Sequence, residues 1–344
     1  MSIEPGQVGE HLIGAVLTHA VRPPGGGVLR KGKVIGPEDV LKLAQLDRQV
    51  HVVVLDSHDV HEDDAAGRLA NLVVGAGLRA RPPVQSRVNI EVTQKGLIRV
   101  NAPLVDRINS LAPIGLFTML DRVPVVPGKI VAGVKIATIA VDASVLGEAE
   151  TLIASSESPP LELRPFLPHR VAVVVTEMPD GRIRDRFEAS VRQKIAWYGS
   201  EIQGIAYLAA DSEVVASAID AMVEAGANLV LVAGGNMMDP LDPTLVAMDG
   251  IGASVVRLGA PAHPGSMFWL GHIPAIDLPV LNLASCSMYS RSTVADLVLP
   301  WVMAGEAVTE ADIAGLGYGG LLDRSMGWRF PDYQSDSVDE PDEE

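Results

Sequence analysis

Val171-Ala-Val-Val-Val175 opens a segment in which strand and helix patterns alternate. Five apolar residues in a row, with no polar alternation, fit a strand buried on both faces. Arg182 to Tyr198 follows with Ile183, Phe187, Val191 and Ile195 at helical spacing. Ile202 to Leu208 is a second strand, Glu213 to Glu224 a second helix, and Leu229-Val-Leu-Val232 a third strand. Doubly buried strands separated by helices predict a mostly parallel sheet joined by right-handed crossovers. The fold class is therefore α/β, with a three-layer αβα domain over residues 169–310.

Outward from this segment the pattern changes in both directions. Residues 1–150 are rich in Gly, Pro and Val, with short β-like runs at His51–Leu55, Val88–Val92 and Gly96–Val100. One helix stands out, Val60 to Val74, with Asp59 as its expected N-cap. This half is expected to be a mixed, mainly β domain. Segment 151–168, with Ser155-Ser-Glu-Ser-Pro-Pro160, Pro165 and Pro168, is expected to be a linker. Residues 311–344 form a C-terminal extension ending in an expected disordered acidic tail, since seven acids and no Lys or Arg follow Phe330.

Composition narrows the function. The chain has 344 residues and a formal charge of −16, of which the tail supplies seven charges. That balance argues against nucleic acid, whose binding depends on Lys and Arg neutralising phosphates. No apolar run approaches the roughly 18 residues of a membrane span, and Met1 to Glu10 lacks the basic and apolar regions of a secretory signal. A soluble, cytoplasmic protein is expected. The single Cys286 rules out an internal disulfide and any zinc site built on several thiolates.

In a parallel sheet ligands sit at the carboxyl ends of the strands, so the loops there matter first. After the third strand comes Ala233-Gly-Gly-Asn-Met-Met-Asp-Pro-Leu-Asp-Pro-Thr244. Gly234 and Gly235 would let backbone N–H groups approach an anion, and Asp239 or Asp242 could hold magnesium or orient a polar ligand. The same pattern also serves as a tight strand-to-helix turn with Asp242 as N-cap, and paired glycines alone fit that reading better. The loop lacks the Lys-Ser/Thr of a P-loop and the third glycine of a dinucleotide fingerprint.

Thr176-Glu177 follows the first strand. Gly259-Ala-Pro-Ala-His-Pro-Gly-Ser266 and Asn282-Leu-Ala-Ser-Cys-Ser-Met-Tyr-Ser-Arg-Ser-Thr293 are two further loops, the second leading into a helix at Val294 to Met303. They offer His263, Ser285, Ser287, Arg291 and a helix N-terminus to an anion. Each is also an ordinary turn when taken singly. His58 and His61, among the acids of Asp56–Asp64, have ligand types suited to a divalent metal, but acids at a helix start also satisfy its amides and dipole.

Gly181-Arg-Ile, Gly234-Gly235 with Asp239-Pro240 and Asp242, Gly259-Ala-Pro with Pro264-Gly265, and Met288-Tyr289 through Asp296-Leu-Val-Leu-Pro300 with Ala304-Gly305 together resemble the molybdopterin-binding domain of molybdenum cofactor biosynthesis proteins. The match extends through Asp312-Ile and Leu316-Gly-Tyr-Gly-Gly-Leu321, and in the first half through Lys31-Gly32, Glu38-Asp39, His61-Glu62-Asp63, Asn109 and Ala132 to Lys135. It is most similar to stand-alone bacterial molybdopterin-binding proteins and more distantly to molybdenum insertases and gephyrin. Two features depart from the pattern. Leu283-Ala-Ser-Cys286 stands where relatives have Leu-Pro-Gly-Cys, and Leu322 to Pro331 carries no cysteine where relatives often have several.

The resemblance implies a site for molybdopterin or its nucleotide-activated form. Thr176, Glu177, Gly234, Gly235, Asn236, Pro264, Gly265, Ser266, Ser285, Cys286, Ser287 and Arg291 would bind the pterin. Asp239 and Asp242, as the catalytic pair, would position magnesium or incoming molybdate. The implied chemistry is adenylyl transfer from ATP or metal insertion, driven by positioning and electrostatics. A non-catalytic carrier, sensor or chaperone for a molybdoenzyme is the alternative, and a scaffold with a decayed pocket a third reading. Homo-oligomerisation is expected from the same resemblance.

Overall fold

The computed structural model describes residues 1–234, 238–283 and 292–336. Its centre is a six-stranded sheet in the spatial order Glu201–Tyr207, Arg170–Val175, Leu229–Ala233, Leu278–Leu283, Trp269–Ile273, Ser254–Leu258. The first four strands are parallel, Trp269–Ile273 runs against them, and Ser254–Leu258 runs with them again. The apolar run at Val171 is explained by the two cores it separates. Val171, Val173 and Val175 pack with Phe187, Val191 and Ile195 of helix Gly181–Trp197 and with Val298 and Val302 of helix Val294–Met303. Ala172 and Val174 face Val215 and Ile219 of helix Ser212–Glu224 and Ala247 and Met248 of helix Pro243–Gly250. Helices on both faces of the sheet give the expected three-layer αβα arrangement.

Register fixes what lies at the carboxyl edge. Val175 pairs with Ala233, which pairs with Leu283. The chain therefore leaves three adjacent strands at one level, through Thr176, through Gly234 and through the stretch after Leu283. Antiparallel pairing of Leu270 with Leu281, and of Leu258 with Trp269, brings the 259–268 loop to the same end.

The first half holds more helix than expected. Besides Glu62–Val73 it contains Pro37–Leu43, Ala102–Asn109 and Ala143–Ala154. Apart from the twelve-residue Ala143–Ala154, these are short, and their start signals are local: Gly36 with Pro37, Asn101 with Pro103, and Asp142. The cap at residue 62 is also corrected. Asp59–His61 is a strand paired with Ala140–Asp142, and His61 caps the helix by accepting the Asp63 amide at 3.2 Å. Two separate cores form, one among residues 3–52 and one among residues 65–163.

The stretch 151–168, expected as a linker, completes helix Ala143–Ala154 and then forms strand Leu161–Pro165, paired with Gly96–Val100. Leu161 and Leu163 are buried in the second core. The prolines delimit this strand rather than dissolving it, because Pro165 is its last residue. The first residues after Phe330, expected as part of the disordered tail, are ordered. Phe330 and Tyr333 are buried, and Asp336 pairs with Lys95. The acids Asp339, Glu340, Asp342, Glu343 and Glu344 lie outside the described residues. Among the described residues, no helix is long and apolar enough to cross a membrane.

One buried carboxylate gathers several of the contacts between the first half and the sheet domain. Glu306, just past helix Val294–Met303, is reached by Arg99, by Arg122 at 3.0 Å and by Arg164 at 3.7 Å. Arg122 also lies 4.8 Å over the Trp301 ring, and its carbonyl accepts the Trp301 indole N–H at 3.2 Å.

A second buried acid joins residues 1–52 to the rest. Glu62 is almost wholly buried under Gly32, and its Oε2 finds no hydrogen-bond partner. Burial pushes its carboxyl up, against the pull of Lys31, whose ammonium stands 3.9 Å away. A raised folded-state value means that the group favours folding when protonated and loses that contribution as pH rises above its unfolded value of about 4.3. Glu62→Gln should therefore stabilise the protein at pH 7 by about 1 kcal/mol, the scale of one unsatisfied buried acceptor. In thermal unfolding, this gain should vanish as the pH is brought down toward about 4. An equal shift at both pH values would contradict the assignment.

Candidate functional site

The carboxyl edge of the sheet is built by close backbone approaches. Thr176 donates its amide to the Ala233 carbonyl at 2.9 Å, which ties the first loop to the third strand. Gly234 is buried there, and a Cβ on it would lie 2.0 Å from Thr176 Oγ1, so no larger residue fits. Gly265 has φ +107°, and a Cβ on it would stand 2.7 Å from the Val294 amide nitrogen. That amide donates to the Pro264 carbonyl at 3.1 Å, so the Pro264-Gly265 turn is seated on the start of helix Val294–Met303. Met238 closes the ring of loops, with its Cε next to Gly259.

The expected site residues divide into three groups. Thr176, Gly234, Pro264 and Gly265 form the wall of the edge just described. Glu177 and Ser266 are exposed on it, and Ser266 accepts the Ala260 amide through its carbonyl at 3.0 Å. Gly235, Asn236, Ser285, Cys286, Ser287 and Arg291 lie outside the described residues, in the two stretches that follow Gly234 and Leu283.

Asp239 and Asp242 have backbone roles in this structure. Asp239 is exposed and its Oδ1 accepts the Leu241 amide at 2.9 Å. Asp242 is the N-cap of helix Pro243–Gly250, accepting the Thr244 amide at 2.9 Å. The bland reading of Asp242 as an N-cap is thus present, and among the described residues each carboxylate accepts one amide and retains acceptor capacity beyond it. Among the described residues, no group of three or more His, Cys, Asp or Glu is placed to hold a metal. His61 in particular has both ring nitrogens engaged, Nε2 with the Gly32 carbonyl at 2.7 Å and Nδ1 with the Asp63 amide.

The edge carries a definite electrostatic pattern. Asp180, Asp211 and Asp242 cap the helices that follow three of the four parallel strands, each accepting one or two amides of the first turn. These carboxylates already occupy part of the positive helix ends. An anion approaching the edge meets Gly and Thr backbone together with acids, a donor set suited to an anion that arrives with a divalent cation.

Several residues that shape the site were missed in the sequence. Asn282 is fully buried, accepts the Trp269 amide at 2.5 Å and donates to the Met267 carbonyl at 2.9 Å, holding the 259–268 loop. Asp296 accepts the Thr293 amide at 3.1 Å and the Thr293 hydroxyl at 2.8 Å, and it also takes the Lys194 ammonium at 2.7 Å. The Thr293-x-x-Asp296 spacing is a capping pattern and could have been read in advance. The Lys194 partnership could not, because it joins residues far apart in the chain.

A cleft of about 550 Å³ lies at the opposite, amino end of the strands, lined by Leu167, His169, Asn228, His272 and Val308 among others. None of the expected site residues lines it.

No family model matches the sequence, and no curated protein matches it. Among solved structures, the chain is similar to the molybdopterin biosynthesis MoeA protein from Pyrococcus horikosii, at 14% identity over 72% of this chain and 79% of that one, with a TM-score of 0.29. It is also similar to the molybdopterin biosynthesis Mog protein from Mycobacterium ulcerans, at 14% identity over 41% of this chain and 99% of that one, with a TM-score of 0.28. At this identity and TM-score, neither likeness bears on activity.

Gly234→Ala should disrupt the edge directly, because its methyl group must displace Thr176. Thermal unfolding is expected to show a loss of about 1–3 kcal/mol, the usual scale for overpacking. Adding Thr176→Ala should restore most of it. A single variant as stable as the parent would contradict the close approach.

Proposed function

We propose that the protein binds molybdopterin or its nucleotide-activated form at the carboxyl edge of the central sheet, and acts in molybdenum cofactor biosynthesis. The observation that carries this reading is the meeting of four loops at one edge, Thr176 on Gly234 and Pro264-Gly265 on Thr293-Val294, in the segments whose sequence resembles molybdopterin-binding domains. The dithiolene-bearing pterin would supply the metal-ligating sulfurs. The chain's own residues would grip and orient its phosphate and rings: Gly234 and Gly235 by backbone amides, Thr176 and Ser266 by hydroxyls, and Ser285, Ser287 and Arg291 from the loop after Leu283.

Magnesium fits this donor set only as a partner of the ligand. Asp239 and Asp242 each have an acceptor site to spare, and Mg²⁺ is commonly held by one or two carboxylates together with substrate phosphates and water. If the protein is an enzyme, its contribution is alignment of a phosphate, a nucleotide or molybdate in this edge, that is, adenylyl transfer or metal insertion. A non-catalytic carrier that presents the cofactor to a molybdoenzyme is the second reading.

Calorimetric titration with molybdopterin, with and without magnesium, tests the reading. Binding is expected, strengthened by magnesium and weakened about tenfold in Asp239→Ala, which corresponds to about 1.4 kcal/mol. Turnover of ATP in the presence of molybdopterin would mark an enzyme, and its absence with intact binding a carrier. No binding in either condition would overturn the proposal.

A further inference from the structure

The C-terminal segment reaches the proposed site through a single hydroxyl. Tyr333, which lies beyond the stretch that resembles other molybdopterin-binding proteins, is 4% exposed and donates its hydroxyl to Asp296 Oδ1 at 3.0 Å. The same oxygen takes Lys194, itself 4% exposed. The other oxygen, Oδ2, holds both the amide and the hydroxyl of Thr293. Thr293 is followed by Val294, on which the Pro264-Gly265 turn is seated. One carboxylate, 1% exposed, thus joins the C-terminal segment to two of the loops that wall the edge.

The segment is fastened at Tyr333 and just beyond it. Its ring packs edge-on against Trp197 and Tyr198. Ser335 accepts the Trp197 indole N–H through its carbonyl at 3.0 Å, and Asp336 pairs with Lys95. Burial beside Asp296 pushes the Tyr333 phenol well above its ordinary range, so it remains a donor at any working pH. A buried carboxylate held by a lysine, a tyrosine and a capping threonine has little freedom to rotate, and loss of one donor leaves it under-satisfied in a low-dielectric site.

We propose that Tyr333 is a positioning residue of the ligand site: by holding the Asp296 carboxylate against Thr293, the C-terminal segment sets the geometry of the 263–266 and 292–294 loops, and hence ligand affinity. This rests on the proposed location of the pterin site. The placement of the loops themselves can be measured without any ligand.

Tyr333→Phe in the full chain removes only the hydroxyl. Tyr198→Phe is the control, since it removes a neighbouring buried hydroxyl that contacts Tyr333 at 3.4 Å and is not bonded to Asp296. Tyr333→Phe should raise the dissociation constant for molybdopterin about tenfold, and should speed amide exchange at residues 263–266 and 292–296 by a similar factor, with residues 65–163 unaffected. Tyr198→Phe should leave both readouts near the parent, even where the two variants lose comparable thermal stability. If Tyr333→Phe changes neither readout, or if both variants change them alike, the positioning role is wrong. If exchange responds as expected but the parent protein does not bind molybdopterin, the coupling stands and the pterin reading fails.

Discussion

The Asp296 carboxylate is the constraint on which the candidate site depends. It is buried, it closes the cap of helix Val294–Met303 through Thr293, and it anchors that helix to helix Gly181–Trp197 through Lys194. A pair of charges this deeply buried contributes little net stability against an apolar replacement, yet breaking it by removing one partner costs about 3–5 kcal/mol. Its consequence is geometric. The helix start is fixed relative to the sheet, the Pro264-Gly265 turn is fixed on the helix start, and Asn282 holds the far side of the same loop.

Electrostatics separates the two ends of the sheet. At the carboxyl end, aspartates cap three of the helices that follow parallel strands and Thr293 caps the fourth, so glycine backbone and acidic side chains share the edge. At the amino end, the cleft of about 550 Å³ is lined by aliphatic residues such as Leu167 and Val308 and by polar ones including His169, Ser254, Asp277 and Glu306, and burial pushes the His169 ring below its ordinary value. Among the described residues neither ring nitrogen of His169 has a well-aligned hydrogen bond, although the Asn228 side chain and the Met303 carbonyl partly oppose that fall. This cleft also carries a hydroxyl and carboxylates, but the loops proposed to grip a phosphorylated ligand meet at the other end. The first half of the chain is attached beside the amino-end cleft, where Glu306, one of its lining residues, receives three arginines.

Much of the architecture was legible because it rests on local patterns. The doubly buried run at Val171, the helical spacing from Ile183 and the apolar Leu229 strand fixed the parallel core, and Gly96–Val100 was read to the residue. What escaped was non-local. Leu161–Pro165 is a strand because Gly96–Val100 offers it a ladder, a fact its Ser-Pro flanks conceal. His61 rather than Asp59 caps its helix because Ala140–Asp142 draws residues 59–61 into a strand. The bland reading of Asp242 as an N-cap is present in the structure. The burial of Tyr333 within an otherwise acidic segment depends on Trp197, Tyr198 and Asp296, which no spacing rule connects to it.

The central claim is the location of the ligand, and a crystal structure of the protein grown with molybdopterin and magnesium tests it most directly. The account predicts the pterin phosphate within hydrogen-bonding distance of the amides around Gly234, with Asp239 or Asp242 near the magnesium and the 264–266 turn against the ring system. Ligand bound instead in the cleft beside His169 and Asn228, with the carboxyl edge bare, would contradict it.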